Sequence, residues 1–251
     1  MLARLTSPFR EFGLFAGLVY SVDRAFQRLS PSLRLYFYEL LLQPIPEAPL
    51  LPSGLSKAVE MREILPGAPE IARMPARPEI KESRFRQNAI CLGAFQKNQF
   101  IGHIWFCFGS YDEDEVRCTF VLPEGNQAVF DFDLYLFPEY RMGLGFVGIW
   151  NGAAEFLRSR GIKCSFSRLT RFNLPSRRAH DRLGSQCVGR VLVLRMWVVE
   201  FLVATVSPYL HLSLSKRDRA RLKLRPGTLL DRGRTVAAPG AVARPVDNFK
   251  A

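Results

Sequence analysis

The sequence predicts a mixed α/β (α+β) fold in which a mostly antiparallel central sheet is flanked by helices. Two observations support this. Strand-like runs follow one another across residues 89–136 with short polar turns between them, which is typical of an antiparallel meander. Residues 126–184 then run strand, turn, helix, strand, helix, an order that favours one parallel strand pair. An N-terminal helical extension and a disordered basic tail complete the predicted chain.

Composition and charge bound the class of protein. The chain has 251 residues, 48% of them hydrophobic and 20 of them Phe, so it can bury a large core, and global disorder is excluded. The formal charge is +12, and residues 207–251 contribute ten Lys or Arg against three Asp. The remaining body is mildly basic, which suits an anionic cofactor. The sequence contains no recognisable nucleic-acid-binding module, and we expect no nucleic-acid partner.

The cysteines and histidines indicate a reduced protein without a metal. None of the five cysteines forms a Cys-x-x-Cys pair, which predicts buried thiols in a cytosolic protein. The three histidines have no metal-ligand spacing, so we expect no metal. The low-charge runs at 12–22 and 191–206 are shorter than the ~20 residues that span a bilayer. The expected location is cytoplasmic, either free or peripheral to the membrane.

The N-terminal region reads as a helical hairpin. Apolar residues at three- and four-residue spacing predict a helix over 8–29, and a second helix is predicted over 32–43 before a proline-rich linker. Residues 8–43 are expected either to pack on the body or a partner subunit, or to lie on a membrane surface. The predicted domains are residues 1–54 (helical extension and linker), 55–212 (main body) and 213–251 (basic, mostly disordered tail).

The body begins with alternating strands and short helices. We predict strands at 56–65, 89–95, 100–108, 116–122 and 128–136, and helices at 68–74 and 78–87. The acidic run from Asp112 to Glu115 lacks the spacing of a calcium loop. It is expected to be either a solvated loop or an acidic rim that attracts an amine.

A strand–turn–helix unit forms the centre of the sequence. The strand before Pro138 leads into a helix over 143–160 that turns Trp150, Ala153, Ala154 and Leu157 inward and ends at Gly161. A second strand over 163–170 precedes a helix that Asn173 caps, and a third strand is predicted over 186–197. A helix that opens directly after a strand presents backbone N–H groups to an anion.

This central segment resembles the GNAT superfamily of acyl-CoA-dependent N-acyltransferases. The resemblance covers roughly residues 59–195 and is specific over 130–184. It rests on Leu134-Tyr-Leu-Phe-Pro-Glu-Tyr-Arg141, Gly143 and Gly145, Arg158-Ser-Arg-Gly161, and the spacing of Asn173, Ser176, His180 and Leu183-Gly184.

The resemblance implies a site for acetyl-CoA or another acyl-CoA. The backbone of Leu134, Tyr135 and Leu136 would hold the pantetheine arm, and Asn173 with Ser176 would contact the cofactor at the next helix start. The phosphates would lie against the turn formed by Arg141, Met142, Gly143, Leu144, Gly145 and Phe146.

The cofactor turn departs from the family pattern. That pattern is Arg or Gln, two residues, Gly, one residue, then Gly or Ala. Counted from Arg141, the glycine positions hold Leu144 and Phe146, whereas Gly143 and Gly145 fall one residue early.

Three residues are candidates for proton transfer. Asp131 and Asp133 lie two apart, so a regular strand would place them on one face, where mutual repulsion raises one pKa; alternatively they are half-exposed, hydrogen-bonded acids. His180 stands where the family often has a Tyr that protonates the leaving thiolate, and an imidazole can donate a proton near neutral pH. A polar helix residue is the other interpretation of His180.

The leading hypothesis from the sequence is an N-acyltransferase that moves an acyl group, expected to be acetyl, from acyl-CoA to an amine acceptor in a ternary complex. One alternative is a catalytically inactive fold of this type that binds a ligand or acts as a scaffold. Another is an acyltransferase that takes its acyl group from an acyl-carrier protein.

Overall fold

A nine-stranded mixed sheet is the centre of the computed structural model, which describes residues 8–52, 55, 58–125, 127–141 and 145–226. The strands are β1 (Leu33–Pro44), β2 (Glu60–Ile64), β3 (Ile90–Gln96), β4 (Gln99–Cys107), β5 (Ser110–Asp112), β6 (Cys118–Val121), β7 (Ala128–Leu136), β8 (Cys164–Thr170), β9 (Gln186–Met196), β10 (Val199–Ala204), β11 (Leu210–Ser213) and β12 (Ala220–Lys223). The helices are α1 (Leu14–Leu29), α2 (Glu70–Arg73), α3 (Pro78–Arg86), α4 (Gly145–Ser159) and α5 (Leu174–Arg182).

The large sheet has the order β11-β10-β9-β1-β8-β7-β4-β3-β2, and its neighbours are antiparallel except for the pair β7 and β8. The mixed, mostly antiparallel sheet flanked by helices confirms the predicted fold class. Strands β5, β6 and β12 form a separate three-stranded sheet. The expectation that 116–122 continues the main meander is therefore wrong.

Two hydrophobic cores lie on opposite faces of the large sheet. On one face, Trp105 and Phe130 pack with α3 and the small sheet through Phe85 and Phe120. We call this the small-sheet face. On the other, the inward residues of α4 pack against β4 and β7, as predicted, and α1 and α5 cover the same face farther along. We call this the helix face.

The predicted second helix over 32–43 is wrong, because this stretch forms β1 at the centre of the sheet. Even-numbered residues such as Tyr38 and Leu40 enter the small-sheet core, and odd-numbered ones such as Phe37 and Gln43 turn to the helix face. A strand that is buried on both faces reads as a continuous apolar run, so its sequence has no period that separates it from a helix. Pairing with β8 and β9 makes residues 33–44 part of the sheet and not of an extension.

The basic C-terminal region also contributes to the body. Within the predicted tail of 213–251, β12 pairs in parallel with β6, and Ala220, Leu222 and Leu224 are buried. The disorder predicted for the tail is wrong at these positions. Residues 227–251 lie outside the described residues.

The predicted helix over 8–29 is confirmed, with an interruption at Gly13, whose φ is 83°. In the described part of the chain, no helix combines the length and the apolar character that crossing a membrane requires. Four cysteines are buried as predicted, whereas Cys187 is exposed.

The central position of β1 predicts a large effect of truncating Leu40, which is 1% exposed. Leu40→Ala should lower the free energy of unfolding by about 2–5 kcal/mol, because it leaves a cavity between two packed layers. The matched variant Leu18→Ala, at a helix position that is 54% exposed, should change it by less than about 0.5 kcal/mol. Denaturant unfolding of both variants measures the difference, and equal small losses would contradict a central β1.

Candidate functional site

The two parallel strands separate at their carboxyl ends. β7 and β8 pair only from Ala128 with Cys164 to Asp131 with Ser167. Beyond that point β7 continues along β4 to Leu136, while β8 continues along β1 to Thr170. In the described chain, neither strand end has a ladder partner on the side that faces the other. A cleft between diverging parallel strands, with a helix after each, is a common ligand position in α/β sheets.

A β-bulge at Asp133 changes which face each carboxylate occupies. Asp133 has a positive φ of 48°, and the pairing of β4 with β7 shifts register between His103 and Trp105. One extra residue in a strand sends the following side chains to the opposite face. Asp133 consequently shares the small-sheet face with Phe132, and Arg84 contacts both.

Asp131 lies on the helix face, so the prediction that Asp131 and Asp133 share one face is wrong. Its side chain is 4% exposed and accepts a hydrogen bond from the hydroxyl of Ser165. Burial raises the pKa of Asp131 to about 7, and the bonds from Ser165 and from its own backbone N–H offset only part of this increase.

Asp133 has the opposite electrostatic environment. Its carboxylate pairs with the buried guanidinium of Arg84, and Nε2 of His103 lies 3.6 Å away, which is too long for a hydrogen bond. Burial raises the pKa of Asp133, but His103 and Arg84 lower it more, to about 2. Asp133 is therefore ionised at neutral pH, and with 28% of its side chain exposed it can be reached by a ligand.

The acidic run does not form a solvated loop, because Glu113 is buried and Asp114 is half-buried, although Glu115 is exposed. The acidic rim stays a prediction. Asp114 pairs with Arg84 at 2.9 Å. Glu113 is buried and pairs with Arg168 of β8 at 2.6 Å. Glu115 lies 3.1 Å from Arg168 and accepts a hydrogen bond from the hydroxyl of Tyr38. The run thus links α3 to the end of β8 across the small-sheet face of the cleft.

His103 and the two arginines were missed by the sequence reasoning. His103 is fully buried between the rings of Phe100 and Tyr135, and neither ring nitrogen has a hydrogen-bond partner among the described residues. His103 is a polar residue inside the apolar run of β4, and this pattern is a sequence signal that could have identified it. Arg84 and Arg168 carry no such signal, because only the fold brings them to the acids.

The predicted cofactor turn is described only in part. Met142, Gly143 and Leu144 lie outside the described residues. Arg141 is exposed, donates from Nε to the carbonyl of Leu136 at 2.9 Å, and stacks over Tyr135. Gly145 opens α4 so close to the preceding turn that a Cβ would lie 2.4 Å from the carbonyl oxygen of Tyr140. Its lack of a side chain is therefore a packing requirement.

The remaining predicted cofactor residues occupy both sides of the cleft. Leu134, Leu136 and Phe146 pack on the helix-face core, where α4 begins. Asn173 caps α5 as expected, since its side chain accepts from the backbone N–H of Ser176 at 3.2 Å. The helices that follow β7 and β8 thus both begin at the end of the sheet where these strands separate.

His180 lies in a buried contact on the helix face. Its Nδ1 is 3.0 Å from Oε1 of Gln43, and its ring meets Trp150 edge to face. Burial lowers the pKa of His180 to about 4, so the ring is neutral at pH 7. The expectation that His180 titrates near neutral pH is therefore wrong. Its role as the acid that protonates the leaving thiolate stays a prediction.

Among the residues described, no group of three His, Cys, Asp or Glu side chains is arranged to hold a metal ion.

The pKa of Asp131 predicts how stability varies with pH. Its pKa is about 7 in the folded state and near 3.8 when unfolded, so the unfolded chain loses this proton first as pH rises. This residue lowers stability progressively between about pH 4 and pH 7, with a constant penalty above. Asp131→Asn keeps a partner for Ser165 and should raise the free energy of unfolding at pH 8 by roughly 2–4 kcal/mol more than at pH 5. Unfolding at both pH values, with exposed Asp181→Asn as control, measures this; an equal shift at both would contradict the buried acid.

Comparisons with known proteins give fold-level likenesses only. No protein-family model matches the sequence, and no curated protein matches it. The chain is similar to a conserved Staphylococcus epidermidis protein of unknown function (11% identity, TM-score 0.44, 66% of this chain and 63% of that one). It is also similar to a tandem GNAT protein from the clavulanic acid biosynthesis pathway (15% identity, TM-score 0.42, 66% of this chain and 55% of that one). A third similar structure is a protein assigned to the GNAT family of acetyltransferases from Novosphingobium aromaticivorans (16% identity, TM-score 0.40, 65% of this chain and 66% of that one). The chain spans less than two thirds of the first two, and we assign no family from these values.

Proposed function

We propose that this protein is an acyl-CoA-dependent N-acyltransferase whose active site is the cleft between the ends of β7 and β8. The separation of these strands after Asp131 and Ser167 is the observation that carries the proposal. It leaves backbone groups of β7 free of ladder partners among the described residues, at the depth where an extended pantetheine arm could pair with them. The acceptor would be an amine, and acetyl-CoA is the expected donor.

The phosphates of the cofactor would lie where β7 turns into α4. The start of this helix carries a partial positive charge, and the exposed guanidinium of Arg141 is held beside it by the carbonyl of Leu136. Gly145 allows the helix start to approach the strand end closely. Arg141 would therefore act as a fixed positive charge that contacts the pyrophosphate.

Asp133 is the group we assign to the acceptor. An amine arrives as an ammonium ion, and a carboxylate that stays ionised at neutral pH attracts it to the small-sheet face of the cleft. The ammonium ion would first release a proton to solvent, and the free amine would then attack the thioester carbonyl. The C–S bond would break as the amide forms, and the departing thiolate would take up the second proton that the attacking nitrogen loses. Backbone N–H groups of β7 would stabilise the negative charge that develops on the carbonyl oxygen.

One observation favours a second candidate, a ligand-binding module of the same fold without turnover. A general base needs both access to the acceptor and a pKa near the working pH. Asp131 has a pKa of about 7, near the working pH, but it is buried. Asp133 can be reached by the acceptor, but its pKa is about 2. Such a module would bind acyl-CoA in the cleft and release no CoA.

The Arg141 assignment predicts a selective loss of cofactor affinity. Arg141→Ala should weaken acetyl-CoA binding about 10–100-fold, the value of one charge-assisted hydrogen bond, and Arg141→Lys should lose less because it keeps the charge. Calorimetric titration measures both, with exposed Arg178→Ala as control. A short acetyl thioester that lacks phosphates should bind all variants alike. Unchanged acetyl-CoA affinity in Arg141→Ala would place the phosphates elsewhere.

The Asp133 assignment predicts a loss of turnover with the cofactor site intact. Asp133→Asn should lower kcat/KM for an amine found by screening at least tenfold while acetyl-CoA affinity stays within twofold, since the amide keeps the shape but not the charge. Thiol release assays measure turnover, with exposed Glu155→Gln as control and an acylated carrier protein as a second donor. Tight acetyl-CoA binding without CoA release from any amine would support the module, and no binding of either donor would overturn both.

A further inference from the structure

We infer that a cavity on the helix face, between the start of α1 and strands β1, β9 and β10, binds a single-chain lipid with an anionic head group. It has a volume of about 470 Å³, within the range of small-molecule sites. This inference does not depend on the proposed acyl transfer.

The walls of the cavity are apolar, as an acyl chain requires. Aromatic side chains come from the helical residues on either side of Gly13 and from β1, and aliphatic side chains come from β9 and β10. They include Phe12, Phe15, Phe37, Leu192 and Val203. The open side of the cavity is also apolar, since the lining residues Leu14 and Phe15 are 82% and 61% exposed. Exposed apolar side chains next to an apolar cavity lose unfavourable contact with water when a hydrocarbon chain covers them.

Two arginines give the cavity its charge. Arg171 and Arg190 line it, and both lie near the carboxylate of Glu39, at Nε–Oε1 distances of 3.4 and 3.7 Å. Arg177 of α5 approaches the same carboxylate at 2.9 Å. One negative charge cannot neutralise three positive ones, and the two longer distances exceed an ordinary hydrogen bond. The guanidinium groups of Arg171 and Arg190 therefore retain donors for an added anion.

The fold holds both arginines in place. The backbone N–H of Arg171 donates to the carbonyl of Phe37 at 2.9 Å, and that of Arg190 donates to the hydroxyl of Thr205 at 2.8 Å. Phe37 and Thr205 themselves line the cavity. Planar guanidinium groups fit both carboxylate and phosphate oxygens, so the head group could be either.

The test titrates the full chain with dodecanoate, dodecyl phosphate and dodecanol below their micelle concentrations. We expect one molecule of an anionic probe per chain, with dodecanol bound at least fivefold more weakly. Decanoate should bind roughly tenfold more weakly than dodecanoate, because two fewer CH₂ groups are buried. The tighter of the two anions identifies the head group, and either result supports the site.

Two variants test the site, one by removing a positive charge and one by changing an apolar wall residue. Arg190→Gln, at a side chain that is 60% exposed, leaves Glu39 with two partners and should weaken anion binding about tenfold. Val203→Asp, at a position that is 38% exposed, should weaken it at least as much by adding a negative charge to the wall. Arg221→Gln on β12 is the matched control and should bind as the parent does. Equal affinity for dodecanol and dodecanoate, many probes per chain, or full binding by both variants would overturn the inference.

Discussion

The separation of β7 and β8 is held by their outer partners. β8 pairs with β1 over its whole length, and the bulged end of β7 follows β4, so each strand is drawn away from the other after four paired residues. The cleft is therefore not a flexible gap between two strands. The cleft is fixed because β7 pairs with β4 on its outer side and β8 pairs with β1 on its outer side. Every residue assigned to the site depends on this cleft.

Most of the charged side chains around this cleft are paired with a side chain of opposite charge. Arg84 is buried and Arg168 is half-buried, and both pair with acids that come from β7 and from the run after β5. Burial alone would lower the pKa of Arg84, but Asp133 and Asp114 outweigh it and raise that pKa. Removing Arg84 would leave Asp133 and Asp114 without their positive partner in a poorly solvated place, which is far more costly than losing a surface ion pair.

Much of the fold could be predicted from the sequence, and the exceptions share a physical cause. Local signals placed α4, Asn173 at the start of α5, and the hairpin of β3 with β4 correctly, because each depends on residues near in sequence. β1 was misread, since burial on both faces erased the alternation of a strand. In contrast, Ala220, Leu222 and Leu224 alternate with basic residues, which is the local signal of a half-buried strand.

The site was harder to predict than the fold. Asp131 and Asp133 obey the two-residue rule of a regular strand, but a single bulge sends them to opposite faces, and no local pattern marks where a bulge occurs. The pairing of Arg84 with Asp133 and Asp114 joins separate elements, so it exists only after the sheet has formed. Residue spacing predicts which side chains share a face within one helix or strand. It does not predict contacts between residues of different elements.

The position of β1 has a consequence for how the chain folds. During synthesis this strand emerges long before its ladder partners β8 and β9, as the pairing of Tyr38 with Thr170 and with Val191 shows. Such long-range pairing makes folding slow, because loop closure must precede the contacts that reward it. Until then a long, apolar strand with both edges unpaired is exposed, which is the kind of segment that chaperones bind and that aggregation begins from.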